Sequence, residues 1–225
     1  MLRVIRKDLI LNRNALVTNA VLFMGFAAYL GWEPDTPVTV YVWLTSLMFT
    51  FLSLTVIVRE DKFRAAALTC SLPVTRRTIV RARYLLSLGL GVAGVAAALS
   101  LGALLPISQL PVDELLRGRT VLLAVTVVVL TLGVLLPFVV RFGFVGVFVF
   151  LIVPQVLGIL VLVIGRLSGG RDPIRQVIGS VAATIQALQA QLGSLGFDVL
   201  LLVVISLVFG ASYGLSQRVF AHREL

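Results

Sequence analysis

The sequence is short of the residues on which most soluble folds and many enzymes depend. It holds one cysteine, Cys70, and one histidine, His222, in 225 residues. A single thiol excludes an intramolecular disulfide and argues against a thiolate metal site. One histidine near the C-terminus leaves no histidine cluster to hold a metal. Charged residues make up 13% of the chain, about half the roughly 25% of a soluble domain. Six stretches carry no charge at all: Asn14–Trp32, Thr36–Val58, Tyr84–Val112, Thr120–Val140, Phe142–Gly165 and Val199–Gln217. Each reaches the roughly 18 apolar residues that mark a membrane-spanning helix. With 59% hydrophobic residues and a mean hydropathy of +1.07, the chain reads as an all-α integral membrane protein. A soluble enzyme, a secreted disulfide scaffold and a disordered tail are excluded.

The distribution of basic residues sets the expected orientation. Six spans at about 15–32, 38–58, 85–107, 120–140, 143–165 and 198–216 place fourteen of the 19 basic residues on the side of the N-terminus. Arg117, Arg119, Arg166, Arg171 and Arg175 fall on the other side. The positive-inside rule then predicts both termini in the cytoplasm. The net charge of +9 is read as an orientation signal and not as a nucleic-acid surface, because Arg and Lys sit at span ends. Tyr29, Trp32, Tyr41 and Trp43 bracket the first outer turn, where amphipathic rings favour the interface. The N-terminus, charged from Met1 to Arg13 before a run long enough to span, does not read as a cleavable signal peptide.

Two segments read as amphipathic helices. Residues 173–192 lie mostly within Gln176–Phe197, a stretch free of charge, yet Gln176, Gln186, Gln189 and Gln191 are costly in hydrocarbon. Val177, Ile178, Val181, Ile185, Leu188 and Leu192 recur at one-faced helical spacing. Asp172-Pro173 opens the helix and Gly193 stops it. This is expected to lie on the outer face, interfacial or re-entrant, because a seventh span would put Arg218 and Arg223 outside. Residues 1–14, with Leu2, Ile5 and Leu9 among basic residues, fit either an inner-surface helix or an ordinary basic flank.

The longest cytoplasmic connection, Arg59 to Tyr84, carries the most information. Asp61 to Ser71 is alanine-rich and is expected to form a short helix with Glu60 and Asp61 at its N-terminal end. Pro73 then breaks the chain, Thr75 is a good N-cap, and the helix continues through Arg76 and Arg77 into span three. Val74 and Ile79 stand at the two positions of a hydrophobic staple. Span, short helix, proline corner and capped span make a rigid elbow suited to a cytoplasmic partner. A solvated basic loop that only enforces topology is the other reading.

The run Glu60-Asp61, then Ser71-Leu72-Pro73-Val74-Thr75-Arg76, Ile79-Val80 and Tyr84 resembles the loop between spans two and three of type 2 permeases of ATP-binding cassette (ABC) transporters. Lys7-Asp8-Leu9 and the short basic tail also look like that family, in particular its small six-span bacterial branch of antimicrobial and amphipathic peptide exporters. The layout agrees over the whole chain, which would form a single permease domain, 1–225; only 60–84 is specific in residue detail.

The resemblance implies that segment 60–75 is a coupling helix seated on the nucleotide-binding subunit. Its contact residues would be Glu60, Asp61, Lys62, Phe63, Arg64, Leu68, Thr69, Ser71, Leu72 and Pro73, with Phe63 and Leu68 as apolar anchors. It further implies two copies of an ABC ATPase, a second permease half (the same chain or a related one), and residence in the bacterial inner membrane. No G-x-x-x-x-G-K-[ST] loop occurs in the chain, so ATP and Mg are expected on the partner and no cofactor here. Gly94, Ala98 and Gly102 line one face of span three and suit either a dimer contact or packing within the subunit.

The six charge-free stretches also contain no His, and a core so free of ionisable groups argues against a proton-relay carrier. The candidate substrate path is dotted with neutral groups: Thr50 and Ser53 on span two, and Gln155 beside Pro154 on span five. An amphipathic or hydrophobic cargo, moved outward, suits such a path. Two readings from other classes compete. One is a non-transporting membrane partner of an ATPase. The other, a lipid-modifying membrane enzyme, lacks the spaced acids a metal site needs.

Overall fold

Charge-free runs fold as helices because hydrocarbon offers nothing to satisfy a backbone N–H or C=O except the segment itself. The structure, a computed structural model, describes residues 2–33, 36–62, 75–105, 108–143, 145–146 and 173–221. Its helices are α1 (Leu2–Leu11), α2 (Arg13–Trp32), α3 (Val38–Lys62), α4 (Arg76–Leu104), α5 (Val112–Leu115), α6 (Gly118–Phe142) and α7 (Pro173–Ala221), with no strand among the described residues. Among the described residues, five stretches are long and apolar enough to cross a membrane: α2, Val38–Val58 of α3, Arg77–Leu104 of α4, α6, and Gln191–Phe220 of α7. They correspond to expected spans one to four and six. The expected fifth span, 143–165, falls almost wholly outside the described residues.

Helix boundaries differ from expectation in two places and agree with it in a third, each for a local reason. α3 runs past Val58 to Lys62, since nothing in Arg59-Glu60-Asp61-Lys62 breaks a helix. Glu60 and Asp61 thus stand in the last turns of α3 and not at the start of a new helix. α4 stops at Leu104, short of 107, and Leu105 is extended (φ −72°, ψ 123°), because the residue before Pro106 is driven from the helical region. α7 is helical from Pro173 and broken at Gly193, whose φ of +67° is a conformation that glycine alone adopts freely. The stop expected at Gly193 is therefore present as a kink that separates 173–192 from the membrane-spanning portion.

The core lies between α3, α4 and α6. Phe49, Leu54, Ile57, Val95, Val128, Leu132, Leu135 and Val139 are buried there. α3 and α4 approach closely through the small residues of α4. A Cβ at Gly94 would overlap the Phe49 ring, one at Gly91 would stand 2.9 Å from Val128 Cγ1, and one at Gly102 would stand 2.9 Å from Tyr41 Oη. Tyr41 Oη donates to the Ala98 carbonyl at 2.7 Å. The Gly94–Ala98–Gly102 stripe is thus filled from within the subunit. Tyr41 is fully buried, unlike Tyr29, Trp32 and Trp43, which are exposed; it seals the helix contact instead of facing an interface.

α6 carries Pro137 within the helix, buried. Proline has no N–H for the carbonyl four residues earlier, and that residue is Gly133, whose bare face meets Val208 and Phe209 of α7. α6 and α7 run parallel from this close approach. The short α5 covers the far end of the bundle, with Leu115 fully buried against Gly102. The Gly31 carbonyl accepts from Gln109 N at 2.9 Å, docking the end of α2 onto the same region. At the opposite end α1 packs on α4, turning Asp8 and Asn12 inward and Leu9, Ile10 and Leu11 outward.

Candidate functional site

α4 emerges directly from segment 60–75, and its first turns make a polar contact with α7. Thr75 is extended (φ −68°, ψ 145°), and its hydroxyl accepts from Thr78 N at 3.4 Å. The N-cap read from sequence is therefore formed. Residue 74 of the expected staple lies outside the described residues, while Ile79 is buried.

About two and a half turns along, Tyr84 is buried and its hydroxyl is shared between two serines of α7, at 2.7 Å from Ser212 and 2.6 Å from Ser216. Its ring meets Phe209 and Tyr213 edge-on, each with centroids 5.4 Å apart. Arg81 Nε donates to Tyr213 Oη at 3.4 Å, and Gln217 Nε2 donates to the same oxygen. The guanidinium of Arg83, 2% exposed, lies 5.7 Å from the centre of the buried Phe220 ring, within cation–π range. Ser212 and Ser216, like Tyr213 and Gln217, are four residues apart and share one helix face. In hydrocarbon such hydroxyl contacts between helices are worth on the order of 0.6 kcal/mol each. Together they fasten the start of α4 to the end of α7.

The residues expected to form the coupling contact are only partly described. Glu60, Asp61 and Lys62 end α3. Phe63, Arg64, Leu68, Thr69, Ser71, Leu72 and Pro73 lie outside the described residues, as does Gln155. Thr50 and Ser53 are fully buried in α3. Their hydroxyls turn back on their own helix, Thr50 Oγ1 donating to Ser46 O and Ser53 Oγ to Thr50 O, both at 2.7 Å. Sequence reasoning missed the Tyr84 lock. The paired i, i+4 polar residues of span six were its only signal, and nothing in the chain announced Tyr84 as their partner.

A model of the ABC-2 family of transporter proteins matches residues 3–221. The chain belongs to the ABC-2 transporter family. No curated protein and no solved structure matches it. This ABC-2 protein is a multi-pass membrane protein, as its apolar helices require. Its family is the membrane permease component of ABC transporters, which works with a separate ABC ATPase subunit.

Proposed function

We propose that this chain is the permease subunit of an ABC exporter, coupling ATP hydrolysis on its partner to outward movement of an amphipathic or hydrophobic substrate. The observation that carries this reading is the lock between the start of α4 and the end of α7. A push delivered to segment 60–75 enters α4 at Thr75 and reaches α7 through Tyr84 within three turns. Segment 60–75 acts as the coupling segment, with Phe63 and Leu68 seated in the ATPase and Lys62 and Arg64 at the rim.

Two ATPase copies and two permease halves form the working unit in the bacterial inner membrane, both termini of each permease being cytoplasmic. ATP and Mg belong to the partner. Thr50 and Ser53 meet substrate when α3 parts from its neighbours, Gln155 contributes from span five, and the 173–192 helix serves as an outer lid. The peptide-exporter branch supplies the favoured cargo class.

Co-purification with ABC ATPase subunits tests the reading, with wild type compared against Phe63→Ala plus Leu68→Ala and ATPase activity scored in the same samples. A stoichiometric complex that the double change weakens or uncouples supports it. Folded, monodisperse protein that captures no ATPase overturns it. A complex that hydrolyses ATP in vesicles yet moves no amphipathic cargo supports instead a non-transporting partner of the ATPase.

A further inference from the structure

A cleft of about 210 Å³ opens between the start of α6 and the start of the membrane-spanning portion of α7, lined by Arg119, Leu122, Thr126, Phe197, Asp198 and Leu201. It lies at the bundle end that carries α5, opposite the Tyr84 lock. Arg119 Nε stands 3.9 Å from Asp198 Oδ1, and the two side chains are 44% and 28% exposed. Asp198 is the sole acidic residue of Gln191–Phe220. An ionisable residue on a membrane-spanning helix is a functional-site candidate by default.

We propose that this cleft binds one membrane phospholipid whose zwitterionic head group ends in a primary ammonium. The charges and the walls both fit that occupant. The guanidinium fork of Arg119 matches phosphate oxygens in a paired geometry. The Asp198 carboxylate accepts hydrogen bonds from a primary ammonium, which a quaternary choline cannot donate. Because Arg119 and Asp198 stand side by side, a phosphate and an ammonium lie across the pair with each charge beside its opposite. Below the charges the lining turns apolar. From Arg119 to Thr126 the helix descends about 10 Å, which carries an acyl chain from the head-group level into hydrocarbon along Leu122 and Leu201. The inference depends neither on the ATPase nor on transport direction.

The full chain, purified in mild detergent, is titrated with phosphatidylethanolamine, phosphatidylcholine and phosphatidylglycerol of identical acyl chains, and bound lipid is counted by native mass spectrometry. Wild type is expected to retain the ethanolamine lipid over both others by roughly fivefold, the scale of one partly exposed ion pair. Asp198→Asn removes that preference while phospholipid is still bound. Arg119→Gln weakens all three lipids together. Leu201→Phe, which narrows the cleft without touching either charge, gives the same uniform loss, so the test stands even where Arg119→Gln fails to fold. Equal retention of the three lipids by wild type overturns the proposal. So does an ethanolamine preference that survives Asp198→Asn.

Discussion

α6 and α7 are almost equally apolar, with mean hydropathies of 2.8 and 2.4 in their most hydrophobic windows, yet 61% of the first window is buried within the chain and 6% of the second. Hydropathy therefore says that both enter the bilayer and nothing about which helix other helices touch. Lipid tails are as apolar as leucine, so a leucine-rich face gains nothing by choosing protein over lipid. Small residues and hydroxyls make the difference. Gly91, Gly94 and Gly102 let α4 close on α3 and α6, whereas Gly210 and Gly214 of α7 face open space. α7 exposes Val199, Val203 and Leu207 and meets the bundle through the Gly133 approach, the Asp198 ion pair and the contacts around Tyr84.

The contrast breaks most severely where backbone meets ring. Gly94→Ala forces a methyl into Phe49 and is expected to lower stability by about 1–3 kcal/mol, the usual cost of overpacking. Gly210→Ala, on the open face of α7, is expected to be neutral or slightly stabilising. Thermal aggregation midpoints in detergent compare the two directly, and equal midpoints would refute the assigned packing. A smaller effect follows from Tyr84→Phe, which strands the Ser212 and Ser216 hydroxyls. We expect a loss of about 1 kcal/mol together with less substrate moved per ATP at unchanged ATPase capture. Transport and hydrolysis measured in the same vesicles check this. The smallest change is Leu207→Ala, expected within about 0.5 kcal/mol of wild type in detergent. A larger loss there, read in the same thermal assay, would mean that α7 is covered.

Much of this arrangement was legible in the sequence, and the limits have physical causes. The membrane class and five of the six spans followed from runs that lack charge, because desolvating a charge is too costly to be hidden by context. Local signals were equally readable: Thr75 caps α4 and Gly193 breaks α7, each set by the residue's own backbone chemistry. Where a local breaker was absent, as at Arg59–Lys62, the helix of span two ran on through residues expected to open a new one. Contacts between distant segments were not readable. The Gly94 stripe fitted a dimer as well as a monomer until Phe49 filled it, and Tyr41 had every property of an interfacial aromatic until its hydroxyl met Ala98. Tyr84 and Ser212 are separated by 128 positions, and no one-dimensional periodicity reports such a pairing.

The polar attachments at the two ends of the membrane-spanning part of α7 differ in their dependence on ionic strength. At the α5 end, Arg119 and Asp198 both meet solvent, and the reach of an exposed charge shrinks to about 3 Å in molar salt. At the other end, Tyr84, Ser212 and Ser216 are neutral and buried, out of reach of dissolved ions. Raising salt therefore slackens one end of the helix and leaves the other fastened. α7 then behaves as a lever whose free arm is tuned by the medium and whose pivot is not.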